Sequence, residues 1–197
     1  LEGPFLSPQL PGIHPVDAIR DMTRKDVDAL VDHLTAKMNP HNKRLILTIA
    51  PEQVDPLLLD RLIMAGVIVF AGHSNASTEQ MIRAIDQGVS GITHLFNACS
   101  QITARAPGIV GTALTDPLLS AGIIADGFHV APRLLKLAAK VMADRLFLVS
   151  DTMPTFASDL TDFRVGDNKI SLVDGRLRAE DGTLAGAHLG LDQAVAN

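Results

Sequence analysis

At 197 residues, with 47% hydrophobic content and a formal net charge of −5, the chain has enough apolar side chain for one sizeable core. Its Lys and Arg are scattered and form no basic stripe interleaved with aromatics, and no apolar run reaches transmembrane length, which argues against nucleic-acid and membrane partners. Cys99 is the single cysteine, so an intrachain disulfide is ruled out, and with no legible signal or lipidation motif the default compartment is the cytoplasm.

In chain order, the first pattern is helical. From Thr23 to Met38, with Thr23 as N-cap, Val27, Leu30, Val31, Leu34 and Met38 follow i, i+3, i+4 spacing, which lays one apolar stripe along the helix. Leu45 to Ala50 reads as a buried strand by its continuously apolar, β-branched character, and so do Val67 to Ala71, Gly91 to Thr93, Ala121 to Ala125 and Leu146 to Ser150. Between them a helix starts at Asp55 with Pro56 as its first residue and stops at Gly66. Another opens on the capping box Ser77 to Gln80 and stops at Gly88, and a further one starts at Pro132. Strand and helix alternating in this way predict βαβ units and a parallel α/β architecture, open sheet or barrel.

After Asp151 the pattern changes. Asp162 to Val165, Lys169 to Val173 and Gly175 to Ala179 alternate as short strands around Gly-Asp-Asn and Asp-Gly turn signals, predicting a β-hairpin insertion near 160–182 over the mouth of the fold. Gly182 to Asn197 reads as a loop leading into a helix. Gly72, Gly108, Gly111, Gly127 and Gly186 match no nucleotide-binding fingerprint and read as tight turns, whose backbone N–H groups can also face an anion.

The chemistry is legible in where the polar residues fall. Glu52, His73, His94, His129 and Asp151 each stand at or just beyond the end of a predicted strand, and Glu2 is placed to do the same for a preceding one. Any one of these alone reads as a loop or capping residue; the repetition is the signal, because in a parallel barrel all those strand ends open on one face. Two imidazoles and a carboxylate suit a borderline divalent ion such as Zn²⁺, and three protein ligands leave a position open for catalysis, so Glu2, His73 and His94 are the candidate ligands. Asp151, a carboxylate after the buried run Leu146 to Ser150, is the candidate general base beside an activated water. Arg105, in the loop after His94, has the planar fork that suits a phosphate.

Seven short strings then occur in a telling order: Leu-Glu-Gly-Pro-Phe at 1–5, Gly12-Ile13-His14, Gly-His-Ser-Asn-Ala at 72–76, Thr-His-Leu-Phe-Asn-Ala at 93–98, Ile-Ala-Asp-Gly-Phe-His at 124–129, Val-Ser-Asp at 149–151 and Asp-Gly-Thr-Leu-Ala-Gly at 181–186. Together they resemble the N-acetylglucosamine-6-phosphate deacetylases of the amidohydrolase superfamily. The resemblance implies a distorted TIM-like (β/α) barrel, of which this chain would carry a part lacking the family's N-terminal strands, small β-domain and C-terminal end. It implies hydrolysis of N-acetyl-D-glucosamine 6-phosphate to glucosamine 6-phosphate and acetate, with Asp151 as acid/base and a divalent metal held by Glu2, His73 and His94. Zn is the first expectation, in one or two ions, with Fe, Co or Mn as alternatives. The phosphorylated amino sugar would be met by Asn97, Ala98 and Arg105 around the phosphate, by His14 with its neighbour Ile13 near the acetyl carbonyl, by His129 near the sugar hydroxyls, and by Leu184, Ala185 and Gly186 along the wall. Arg105 would serve the neighbouring subunit of a homodimer. Cys99-Ser100-Gln101 and Thr152 depart from the family pattern and leave the sugar preference open. Two other readings fit the same residues: a different amidohydrolase, acting on N-acyl amino acids or cyclic amides, and a non-catalytic phosphosugar-binding barrel.

Overall fold

The computed structural model describes residues 1–35 and 44–197. Five strands, β1 (Ile46–Ile49), β2 (Ile68–Ala71), β3 (Gly91–Ile92), β4 (Ser120–Ile124) and β5 (Leu146–Val149), form one parallel sheet in the order β1-β2-β3-β4-β5. Each strand pairs with the next in sequence, from Ile46 opposite Ile68 at one side to Ile124 opposite Val149 at the other. Residues 1–3 continue the pairing beyond β1: Thr48 N–H donates to the Leu1 carbonyl at 2.9 Å and Gly3 N–H to the Thr48 carbonyl at 3.1 Å. Glu2 is thereby held at the same sheet end as the residues that follow the strands.

Helices connect the strands, and their ends follow local chemistry. α1 (Arg24–Thr35) begins where Asp26 accepts from both the N–H and the hydroxyl of Thr23, at 2.8 and 2.6 Å. The predicted continuation of this helix to Met38 lies outside the described residues. α2 (Pro56–Met64) is capped by Asp55, whose Oδ1 accepts from Leu57 N–H at 2.8 Å, with Pro56 at a position that needs no donor. α3 (Thr78–Gln87) carries the full reciprocal capping box between Ser77 and Gln80 and ends at Gly88 in the left-handed region. α5 (Pro132–Met142) starts at its proline, and α6 (Leu191–Ala196) is the last element.

α4 (Gly108–Thr115) is the element the sequence does not announce. Gly108 and Gly111 read as turn residues, and every residue from Gly108 to Leu114 is buried, so no polar face gives the helix a 3.6-residue period to detect. Gly111 in fact sits inside the helix because it is crowded: a Cβ there would lie 2.6 Å from Pro107 Cβ.

One core unites the sheet and its helices. Leu47, Ile49, Val69, Ala71, Ile92 and Ala121 are inaccessible to solvent and pack against Val27, Leu62, Met81, Ile109 and Ala138 from the helices. Each large aliphatic side chain so buried contributes about 1.5–3 kcal/mol relative to exposure. At the end of β2, Gly72 lies where strands approach: a Cβ there would meet Thr48 Cγ2 and Thr93 Cβ, each at 2.8 Å, and the hydroxyls of those two threonines already hydrogen-bond at 2.8 Å. Gly72→Ala should therefore cost about 1–3 kcal/mol by overpacking, read as a lowered denaturation midpoint at unchanged m-value.

β6 (Asp162–Val165), β7 (Asn168–Val173) and β8 (Arg176–Ala179) form a separate antiparallel sheet in sequential order, one strand more than a single hairpin. Its period-2 pattern turns Ile170 and Leu177 inward onto Ala185, with Ile13, Met153 and Phe163 packed alongside. This inner face lies toward the cavity described below, which Val165 helps to line. No helix among the described residues is long and apolar enough to cross a membrane.

Candidate metal centre and substrate cavity

Parallel pairing brings the C-terminal ends of the strands to one edge, and three polar residues leave that edge with an unusual backbone. His73 after β2, His94 after β3 and Asp151 after β5 have φ of 46°, 33° and 46°. Side chains other than glycine occupy this left-handed region at a cost of order 1–3 kcal/mol, and such costs cluster at sites where direction matters more than comfort.

Glu2 Oε1 lies 3.0 Å from His73 Nε2 and 2.9 Å from His94 Nε2, and the two Nε2 atoms are 3.2 Å apart. Among the described residues, Glu2, His73 and His94 are the His/Cys/Asp/Glu group whose ligand atoms converge in this way. The rest of each ring is accounted for. His73 Nδ1 is 3.0 Å from the Leu10 carbonyl, and His94 Nδ1 is 3.1 Å from the Asn97 carbonyl. A carbonyl only accepts, so in the neutral ring the single proton belongs on Nδ1 and Nε2 is left as a lone pair. Three acceptor atoms crowded within about 3 Å repel one another unless a cation sits between them, and a carbonyl-oriented imidazole is the usual arrangement of a metal ligand. Zn bonds of about 2.0–2.2 Å imply tetrahedral ligand separations of roughly 3.2–3.6 Å, a few tenths of an ångström wider than this cluster. The donor set therefore fits a divalent ion.

Electrostatics describe the same convergence. Burial alone would raise the Glu2 carboxyl, but the hydrogen bonds and charges of His73 and His94 hold it well below the usual carboxylate range. Burial disfavours a charged His94, yet the carboxylate beside it outweighs burial and raises its proton affinity. A divalent ion entering the cluster competes with that proton, so its affinity falls as pH falls.

The supporting contacts come from all along the chain. Glu52, after β1, accepts from Ser74 Oγ at 2.5 Å and from Asn75 N–H at 2.7 Å, clamping the segment that follows His73. Ser74 pairs in parallel with Cys99, joining the His73 loop to the His94 loop, and Ser7 N–H donates to the His73 carbonyl at 2.8 Å. Burial pushes the Cys99 thiol up to about 12, so it is an inert filler of this junction. His14 stands edge-on to His73 with ring centroids 4.7 Å apart, and burial first, then the charge of His73, lowers its pKa.

A cavity of about 700 Å³ opens over the cluster. Of the residues singled out from the sequence, Glu2, Ile13, His14, His73, His94, Asn97, Ala98, His129, Asp151, Leu184 and Gly186 line it. Ala185 does not; it is fully buried beside Ile170 and Leu177 under the antiparallel sheet. Arg105 is exposed in the loop before α4 and takes no part in the lining. Sequence reasoning passed over Met153, Val165, Asp181 and Thr183, which also line the wall, together with Asp126 and the two ring-orienting carbonyls. Carbonyls carry no residue-type signature, and the wall residues depend on how the antiparallel sheet folds back.

No family model matches the chain. It is 39% identical over 195 residues to the N-acetylgalactosamine-6-phosphate deacetylase of Shewanella sp. (strain ANA-3), which covers 98% of this chain and 48% of that protein. The crystal structure of N-acetylglucosamine-6-phosphate deacetylase from Pasteurella multocida superposes with a TM-score of 0.90 at 32% identity, covering 98% of this chain and 49% of that one. The chain is a homologue of the N-acetylglucosamine-6-phosphate deacetylases. A mutant of the Mycobacterium smegmatis deacetylase in complex with N-acetyl-D-glucosamine-6-phosphate superposes with a TM-score of 0.88 at 31% identity, over 98% of this chain and 50% of that one. The chain spans about half the length of the curated deacetylases it matches.

Proposed function

We propose that this chain carries the catalytic metal site of an amino-sugar 6-phosphate deacetylase, releasing acetate from N-acetyl-D-glucosamine 6-phosphate. The observation that carries the reading is the convergence of Glu2, His73 and His94 within about 3 Å of one another, at the floor of a cavity that Asp151 also lines. The sequential order β1 to β5, with no reversal, supports a TIM-like barrel that closes in the longer polypeptide. The exposure of Phe147 and Leu148 on the outer strand β5 supports it too.

Glu2, His73 and His94 would hold the ion, Zn²⁺ by donor preference; bound there, it would supply Lewis acidity toward an acetamide carbonyl and a water. Asp151 takes a proton from the attacking water as the C–O bond forms, then delivers that proton to the amide nitrogen as the C–N bond breaks, so water and amide become acetate and amine. His14, kept neutral by burial, is suited to donate one hydrogen bond to the acetyl oxygen. Asn97 and Ala98 would meet the phosphate, and Arg105, which is exposed and outside the cavity, would serve a neighbouring subunit of a homodimer. We assign the enzyme to the cytoplasm.

The 4-epimer, N-acetylgalactosamine 6-phosphate, is the second reading, favoured by the 39% identity to the Shewanella protein. Acetate release by the full-length polypeptide from each sugar phosphate, and from each sugar without its phosphate, tests both. Turnover of the phosphorylated sugars alone is expected; equal turnover without phosphate would point to another amidohydrolase, and no turnover to a binding protein. Glu52→Gln, which weakens the clamp on the His73 loop without touching a ligand, should lower metal affinity about 10–100-fold, read by titration against a competing chelator. Unchanged affinity would show that the loop holds its shape without Glu52.

A further inference from the structure

A second histidine–carboxylate pair lies apart from the cluster. Two residues beyond β4, Asp126 turns its carboxylate back over the Gly127 turn, where Gly127 has φ 79°. Oδ1 accepts from the Phe128 and His129 N–H groups, each at 2.8 Å, and Oδ2 lies 2.6 Å from His129 Nδ1. Both side chains are nearly shielded from solvent, at 9% and 7% exposure. His129 lines the cavity and Asp126 does not, so the imidazole stands between the carboxylate and the cavity. The loop is also tied from above: the Arg176 guanidinium of β8 lies 4.3 Å from the centroid of the Phe128 ring.

We propose that Asp126 is the positioning residue for His129, fixing its proton on Nδ1 so that Nε2 faces the cavity as a hydrogen-bond acceptor for a substrate hydroxyl. Asp126 receives three N–H donors, and although burial works toward protonation, those donors hold the carboxyl below its ordinary range. An ionised carboxylate offers only lone pairs, so Nδ1 must be the donor. A neutral imidazole has one N–H, and its opposite nitrogen is then bare. The same logic leaves His73 and His94 bare at Nε2, but there the lone pairs converge with Glu2, whereas His129 is outside that group. Its lone pair is directed at the cavity space. Sugar hydroxyls are donors of the matching polarity. The tautomer half of the inference is independent of which ligand binds; the hydroxyl half rests on the amino-sugar reading above.

The test uses the metal-loaded full-length polypeptide and its Asp126→Asn variant. An amide keeps an oxygen for the two backbone donors but presents N–H₂ to the ring, which forces the ring proton to Nε2. Ring-nitrogen NMR shifts, with the His129 signals assigned by their loss in His129→Gln, should show Nδ1–H with a bare Nε2 in the parent and the reverse in Asp126→Asn. For the sugar phosphate that is turned over, KM should rise about tenfold, the equivalent of one lost hydrogen bond, with kcat within a few-fold and metal content unchanged. Nε2–H or a doubly protonated ring in the parent, or the same tautomer in both proteins, overturns the proposal. An unchanged KM with lowered kcat overturns the hydroxyl contact. Absence of turnover by the parent on either sugar removes the amino-sugar reading and the hydroxyl with it, while the spectra still decide the tautomer. Should Asp126→Asn fail to fold, the parent spectrum decides alone.

Discussion

Asp151→Asn in the full-length polypeptide should lower kcat for deacetylation by about 10²–10⁴-fold while metal content and KM stay near those of the parent. The substitution is nearly isosteric and leaves the backbone alone. That backbone is fixed independently: the Asp151 carbonyl accepts from Ala187 N–H at 2.8 Å, Thr152 pairs with Ala187, and Gly186 packs where a Cβ would strike Met153 Cγ at 2.5 Å. What the amide lacks is the ability to take a proton and give it back. Single-turnover measurements should place the loss in the chemical step. A loss below about tenfold would move the acid/base role off Asp151, and His14, on the same cavity, would be the residue to test next.

His94→Ala should have a comparably large effect by a different route. His94 is 5% exposed and contributes one of three converging atoms, so its removal leaves Glu2 and His73 as a two-point site beside an unfilled space. The variant should purify without bound metal. An ion at 1,000 times its Kd stabilises the native state by about 4 kcal/mol, so added Zn²⁺ should raise the Tm of the parent and leave that of the variant unmoved. Equal metal-dependent stabilisation of both proteins would mean that the ion binds elsewhere.

Much of this architecture was legible because its signals are local. The Ser77 to Gln80 capping box, Asp55 before Pro56, and Gly88 beyond a periodic run each rest on a few neighbouring residues, and α2 and α3 fall where those signals put them. The strands β1 to β5 were readable from continuous apolar runs, although β5, expected to be buried, lies at the sheet edge with Phe147 and Leu148 exposed; β6 to β8 were readable from alternation between turn signals. α4 was not, because a helix enclosed on all sides loses the polar face that reveals its period, and its glycines mimic a loop. At the site, the strand-end positions of His73, His94 and Asp151 were readable, whereas their positive φ values were not, since nothing in residue type marks a left-handed histidine. Glu52 was visible as a strand-end carboxylate, but its partners Ser74 and Asn75 come 22 and 23 residues later, and only the fold shows that it clamps a loop rather than binds an ion. Ala185 shows the converse limit: Leu184 and Gly186 on either side of it line the cavity, and which residues of a short string do so depends on how the segment turns.

In the proposed enzyme, Glu2, His73 and His94 hold one divalent ion facing Asp151. Anomalous diffraction at the Zn edge from crystals of the metal-loaded full-length polypeptide tests it most directly. A peak is expected within bonding distance of Glu2 Oε1, His73 Nε2 and His94 Nε2, lost on dialysis against a chelator together with acetate release. A peak at other residues, or turnover that survives removal of the ion, would contradict it.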